Sequence, residues 1–199
     1  MGLKCICRFL ITNCNNLVFF ITLQDKYMNP MKKIVTVLIL CFSFIFANAQ
    51  IQRTFLGNTL GVTTWNNAKS TLSQKGLEII DCNQQAGTIL VGNVTFSSYP
   101  CEFATLYFHN GLFYKIFFFI KCTELESDIL PVYNDFKKKL KNKYSSYITS
   151  DDDDSIMFDD KVSFIYLGHS YSNNLYDTGL IYADKKIDEQ RKQADNNEL

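Results

Sequence analysis

The chain has 199 residues with 20 basic and 20 acidic side chains, so its formal net charge is zero. Residues 50–199 alone carry 15 Lys and Arg against 19 Asp and Glu, a net charge of −4. A mildly acidic segment lacks the clustered basic surface of nucleic-acid-binding proteins, so we expect no nucleic-acid partner. Its length is that of one domain with a substantial hydrophobic core.

A secretory signal peptide is predicted over residues 31–49. Two lysines follow Met31, residues 34–46 are almost all apolar, and Ala47-Asn48-Ala49 supplies the small residues that a signal peptidase recognises. Cleavage before Gln50 leaves a mature chain without a membrane span. We therefore expect an exported protein that is periplasmic or secreted.

The leader also has alternative interpretations. Residues 1–30 show no helical or strand period, which favours an over-extended gene start. The alternative is a first membrane segment over 17–23, which is shorter than the ~20 apolar residues that a span needs. Lipidation at Cys41 is a further alternative, although Cys41 follows the large Leu40 and lies inside the apolar stretch.

The first element predicted after the leader is an amphipathic helix. A glycine-containing lead-in over 50–61 precedes it, and Thr63 or Thr64 supplies an N-cap hydroxyl. The apolar residues at helical spacing are Trp65, Ala68 and Leu72. Gly76 suits the left-handed residue that ends a helix, and Leu77 is then expected to pack back onto that apolar stripe.

Strands are predicted next, over 77–82, 88–96, 102–108 and 112–121. The last two flank His109-Asn110-Gly111, and Asn-Gly between β-rich segments is a strong hairpin signal. Residues 112–121 are apolar on both faces, which predicts a central strand that is covered on both sides.

A second amphipathic helix follows, and its start is open. The apolar stripe consists of Ile129, Val132, Tyr133, Phe136, Leu140 and Tyr144. A capping box over 123–126 would put Pro131 inside the helix, and a start with Pro131 at N1 fits proline better. Further strands are predicted over 145–149, 155–158, 162–167 and 175–183. The charged tail 184–199 is expected to be a frayed surface helix or disordered.

Together these elements predict one α+β domain over 50–183, with helices packed on a mostly antiparallel sheet. The order of a helix followed by strands occurs twice. Trp65-x6-Leu72-x2-Lys75 is matched by Tyr133-x6-Leu140-x2-Lys143, which favours a degenerate tandem repeat.

Several short segments carry a family resemblance. They are Leu56-Gly57 to Leu60-Gly61, Lys75-Gly76, Leu140-x2-Lys143-Tyr144 and Leu180-Ile181-Tyr182-Ala183-Asp184. They look like segments of small secreted domains of unknown function from Bacteroidetes-type bacteria. The helix-then-sheet plan resembles the fold of the secreted β-lactamase inhibitor proteins and the small outer-membrane assembly lipoproteins. The likeness covers most of 54–190 and implies a fold and an envelope location, without a reaction.

Three cysteines remain once the leader is removed, Cys82, Cys101 and Cys122, and an exported protein meets an oxidising compartment. With Asn110-Gly111 as the turn, Cys101 is the diagonal neighbour of Cys122. Diagonal neighbours lie ~7–8 Å apart, slightly beyond the disulfide range of ~4.4–6.8 Å. A Cys101–Cys122 disulfide is therefore predicted if a bulge lies near Pro100. The alternatives are two buried thiols or a bond from Cys82.

Other candidate sites have plainer interpretations. The four aspartates 151–154 are candidate Ca²⁺ ligands, but without an EF-hand pattern they favour a solvated loop. The lysines over 137–143 suit the solvated face of a helix better than contact with anionic lipid. His109 and His169 lie in predicted loops without a neighbouring nucleophile motif. We predict no catalytic residue, no metal site and no cofactor.

The preferred interaction patch consists of Tyr166, Tyr171 and Tyr176 around a polar loop over 168–174. Exposed tyrosines on loops are effective anchors for a protein partner. This patch favours a non-enzymatic protein-binding module that contacts another protein of the cell envelope. The alternatives are a small periplasmic hydrolase or isomerase with a cleft beneath the hairpin, and a structural surface component.

Overall fold

The computed structural model describes residues 50–197. Its elements in chain order are β1 (Thr54–Phe55), β2 (Asn58–Thr59), α1 (Trp65–Gln74), β3 (Glu78–Asn83), β4 (Thr88–Phe96), β5 (Tyr99–His109), β6 (Leu112–Thr123), α2 (Glu126–Tyr144), a 3-10 turn (Ser145–Tyr147), β7 (Ile148–Asp151), β8 (Ser155–Asp159), β9 (Ser163–Ser172), β10 (Leu175–Asp184) and α3 (Lys185–Asn197). The predicted signal peptide, the gene-start prediction and Cys41 lie outside the described residues.

The predicted α+β class is confirmed. Eight strands form one antiparallel sheet in the order β3-β4-β5-β6-β10-β9-β8-β7, and β1 pairs with β2 in a separate ribbon. The first half of the sheet follows α1, the second half follows α2, and the halves join where β6 pairs with β10. The topology therefore repeats the plan of one helix followed by four strands.

The two helices make matching contacts in their halves. Trp65 of α1 packs edge-to-face on Phe108 of β5, with ring centroids 4.9 Å apart. Tyr133 of α2 packs in the same way on His169 of β9 at 4.6 Å. Because β5 and β9 are each the third strand of their half, the spacing shared by the two helices corresponds to a shared packing arrangement. His169 lies in a strand, so its prediction as a loop residue is wrong.

The hydrophobic core lies between these helices and one face of the sheet. Its strand residues alternate with outward-facing ones, as the two-residue period of a strand requires. The buried members on the middle strands include Ala104, Leu106, Ile116, Phe118, Leu180 and Tyr182. The predicted helix ending is confirmed, because Gly76 has a φ of +69° and the Leu77 N–H donates to the Leu72 carbonyl at 3.1 Å.

The opposite face of the sheet is covered at one end. There α3 contacts β6, β9 and β10, and Lys192 Nζ lies 5.9 Å from the centre of the Phe164 ring. Further along β6, Phe117 and Phe119 are only half-buried, whereas Phe118 and Ile120 between and beside them are buried. The central position predicted for this strand is confirmed, whereas within residues 50–197 its second face is covered at one end and only half-buried further along.

The last hairpin is longer than the sequence indicated. β9 and β10 continue to a two-residue turn, Asn173-Asn174, whose φ angles are +51° and +63°. Asparagine tolerates this left-handed backbone, which two-residue hairpin turns require. The predicted loop over 168–174 is therefore wrong, since most of these residues are paired strand.

Tertiary packing also moves the start of α2. The helix begins at Glu126 with Leu125 at the N-cap, and Pro131 lies inside it, so neither predicted start is observed. Ile129 is completely buried, which stabilises a helical turn before the proline. For the charged tail, a surface helix and disorder were the two expectations. The tail is helical from Lys185, and its Asp188 is buried.

Candidate functional site

The three tyrosines predicted as one patch lie on different faces of the sheet. Tyr171 and Tyr176 are direct cross-strand partners whose ring centroids are 4.5 Å apart. Tyr166 pairs with Ile181 and lies an odd number of residues from Tyr171, so its side chain points to the opposite face. The structure therefore does not bring the three tyrosines together.

On the sheet face opposite the core, the part that no other described element of residues 50–197 covers carries a contiguous apolar surface, which we call the aromatic face. It consists of Phe103, Phe117, Phe119, Tyr166 and Ile181. Phe103 is the direct partner of Phe119, and the two rings stack with centroids 4.8 Å apart and planes 9° apart. Ile181 pairs with Phe117 on one side and with Tyr166 on the other. The register thus joins four neighbouring strands into one surface.

Glycines in the strands keep this surface flat. A Cβ at Gly168 would lie 2.9 Å from the Tyr166 ring, and one at Gly179 would overlap the Phe117 ring. Gly92 lies under Ile80 in the same way, again with 2.9 Å to the nearest side-chain atom. Each of these glycines therefore leaves room for a large side chain to lie across the sheet, and a Cβ at that position would block the side chain. Isolated glycines inside strand patterns are the sequence signal for such close packing.

Parts of the surface are freely accessible to solvent. Tyr166 is 37% exposed and Ile80, beside the patch on β3, is 54% exposed. The apolar residues of β6 predicted a strand covered on both sides, so the sequence did not predict the aromatic face. Apolar periodicity shows that residues share a face, but it does not show what packs on that face.

A cleft of about 370 Å³ lies on the other side of the sheet, and we call it the α2 cleft. It is bordered by α2, the ribbon of β1 and β2, and the β4–β5 turn. Its aromatic lining consists of Phe55, Phe96, Phe118, Phe136, Tyr144 and Tyr182. Lys139 and Lys143 from α2 add two cations to this apolar lining.

The described cysteines are all free thiols, so the Cys101–Cys122 disulfide is not formed in this structure and stays a prediction. A bulge after Tyr107 places Phe103 opposite Phe119, one residue away from the register that the sequence suggested. Cys101 is part of the hydrophobic core, whereas Cys122 is half-buried outside it.

We expect Cys101 to be the slowest of the three described cysteines to react with iodoacetamide. Burial raises the pKa of its thiol to about 11. The thiolate is the reactive form, and at pH 8 only about one molecule in a thousand would carry it. Peptide mapping after timed labelling of reduced, folded protein measures the rates, with labelling in urea as the control. Equal rates at Cys101 and Cys122 in the folded protein would contradict the buried position.

The acidic segment 151–154 is held by lysines of α2. Lys137 Nζ lies 3.1 Å from an Asp151 carboxylate oxygen, and Lys141 binds the other oxygen. Hydrogen bonds from Lys141 and Lys137 hold the pKa of Asp151 below its ordinary value. In the part of the chain that the structure describes, no three His, Cys, Asp or Glu side chains are grouped as metal ligands.

Within residues 50–197, no helix has both the length and the hydropathy that crossing a bilayer requires. Comparison of the chain with protein-family models, curated proteins and solved structures found no match.

Proposed function

We propose that this protein is a non-enzymatic binding module of the cell envelope and that it docks a partner protein on the aromatic face. The envelope location follows from the predicted signal peptide. The observation that carries the docking proposal is the contiguous apolar surface across four central strands. Soluble proteins seldom leave such a patch uncovered unless it binds something.

The composition of the aromatic face suits a protein interface. Aromatic residues are enriched in the buried centres of interfaces, and polar residues form the rim. Glu78 and Lys115 supply charged groups at two borders of the patch, because Glu78 approaches Gly92 and Lys115 lies two residues before Phe117 on the same face. When a partner binds, the apolar centre of the aromatic face can therefore lose its water while the charged rim stays solvated.

The rings of the aromatic face are also positioned before any partner arrives. Phe117 and Phe119 pack against each other at 6.1 Å, and Phe119 stacks on Phe103. Side chains already fixed in one conformation lose little entropy on binding, which improves affinity for a given contact area. Four paired strands hold their backbones in place.

The test is affinity purification of the tagged protein from the envelope of its own host, followed by titration of the purified partner. The Phe117→Ser/Phe119→Ser variant should weaken binding by at least about 30-fold, since interface hot spots contribute ~2 kcal/mol or more. Tyr171→Ala/Tyr176→Ala is the matched control, because this pair lies on the opposite face. Circular dichroism confirms that each variant is folded.

Two results would contradict the proposal. One is a partner that binds the Phe117/Phe119 variant as tightly as the unmodified protein, or that is lost only with the Tyr171/Tyr176 control. The other is self-association: light scattering across a concentration series could show a dimer that the Phe117/Phe119 variant converts to a monomer. The surface would then serve a second copy of this chain.

A further inference from the structure

The α2 cleft has features of a ligand site that are independent of the aromatic face. It lies on the helix side of the sheet, and its aromatic floor is buried: Phe118 is 1% exposed and Tyr182 is 2% exposed. Its volume of about 370 Å³ falls at the small end of the ~300–1,000 Å³ typical of small-molecule sites. A single compact ligand fits this volume, whereas a folded segment does not.

Two strained turns border the cleft. Leu56 in the β1–β2 turn and Ser97 in the β4–β5 turn both line it, with φ angles of +51° and +52°. Two-residue hairpin turns with this backbone favour Asn-Gly, and leucine is a poor choice for a left-handed position. Strained residues of this kind concentrate at ligand sites, where the side chain matters more than the stability of the turn.

Tyr182, which is 2% exposed, lines the same cleft. Burial raises the pKa of Tyr182, and the nearby Tyr144 raises it further, so the hydroxyl keeps its proton. The protonated hydroxyl is a hydrogen-bond donor, and a ligand with an acceptor atom could accept from it.

A lysine without an acidic partner completes the site. Two lysines line the cleft, and the first of them, Lys139, is paired with Asp135 at 2.7 Å. Lys143 forms no ion pair with any residue of the described chain, and its Nζ lies 5.0 Å from the centre of the Tyr144 ring. Tyr144 is thus a neighbour of both Lys143 and Tyr182 in the lining of the cleft.

We propose that the α2 cleft binds a small amphipathic carboxylate of the fatty-acid class. The acyl chain lies among the aromatic rings, and the carboxylate accepts hydrogen bonds from the Lys143 ammonium and the Tyr182 hydroxyl. Charge complementarity selects an anionic head over a neutral or cationic one, and the volume of about 370 Å³ selects a single chain over a two-chain lipid.

Isothermal titration with three probes below their micelle concentrations tests this assignment. Dodecanoate should bind one-to-one and at least about tenfold more tightly than dodecanol, since hydrogen bonds to charged groups are the stronger ones. Dodecyltrimethylammonium should bind more weakly still. Lys143→Met keeps the apolar stem and should remove the preference for dodecanoate, and Tyr182→Phe should weaken dodecanoate binding several-fold. Lys138→Met is the matched control, because Lys138 is exposed on the same helix outside the cleft.

Leu56→Asn separates ligand binding from folding. Asparagine relieves the left-handed backbone but loses the apolar packing of the half-buried Leu56 on the core, so we expect the melting temperature to change little while dodecanoate affinity falls. Absence of saturable dodecanoate binding, equal affinity for the three probes, or unchanged selectivity in Lys143→Met would each overturn the assignment. These substitutions lie on the side away from the aromatic face, so failure here leaves protein docking intact.

Discussion

Replacing Phe118 with alanine should lower the free energy of unfolding by about 3–5 kcal/mol, the range for removal of a buried phenylalanine ring. Phe118 lies on central strand β6 between two buried neighbours, Ala104 and Leu180. Its ring packs on Phe96 at 4.5 Å and on Phe55 at 6.0 Å. Its loss would open a cavity that the surrounding sheet cannot close. Urea unfolding followed by circular dichroism measures the change.

The next residue supplies the matched control. Phe119 has the same side chain in the same strand, but it points to the uncovered face and stacks on Phe103. Phe119→Ala should cost less than about 1.5 kcal/mol, because a half-buried ring loses little contact with the protein. Similar losses of stability at both positions would mean that the second face is covered after all, and the docking proposal would fail with it.

Asp184→Ala should destabilise the protein by about 2–4 kcal/mol, because the carboxylate has two structural roles. One oxygen lies 2.5 Å from the Arg53 guanidinium, which joins the lead-in to the last strand. The other accepts the Ile187 N–H at 3.0 Å and caps α3. Alanine leaves the half-buried guanidinium without its counter-charge and the helix without its cap. Because Arg53 is partly exposed, the loss of stability should be smaller than for a fully buried ion pair that loses one partner.

Two further variants distinguish these roles in the same unfolding assay. Asp184→Asn keeps an oxygen for the cap and removes the charge, so its effect should be intermediate. Asp195→Ala removes an exposed ion pair with Arg191 and should cost less than about 1 kcal/mol. If Asp195→Ala were as destabilising as Asp184→Ala, the stability of α3 would depend on its surface charges rather than on its capped end.

The sequence alone determined the elements whose causes are local. Strand β4 has the predicted bounds 88–96, the Asn110-Gly111 hairpin forms, and Gly76 ends α1 as expected. In each case a few neighbouring residues fix the backbone, through a turn that needs positive φ or an alternation of apolar side chains. The plan of a helix followed by strands, twice over, could be read for the same reason.

Only the tertiary structure decided which residues share a surface. One bulge after Tyr107 shifts the β5–β6 register, and hairpin geometry separates Tyr166 from Tyr171 and Tyr176. The buried Ile129 moves the start of α2, because burial of its side chain outweighs local capping preferences. Likewise, the apolar residues of β6 do not specify whether a helix, a partner or water covers them. Periodicity assigns a side chain to a face, whereas contacts from distant segments determine what that face meets.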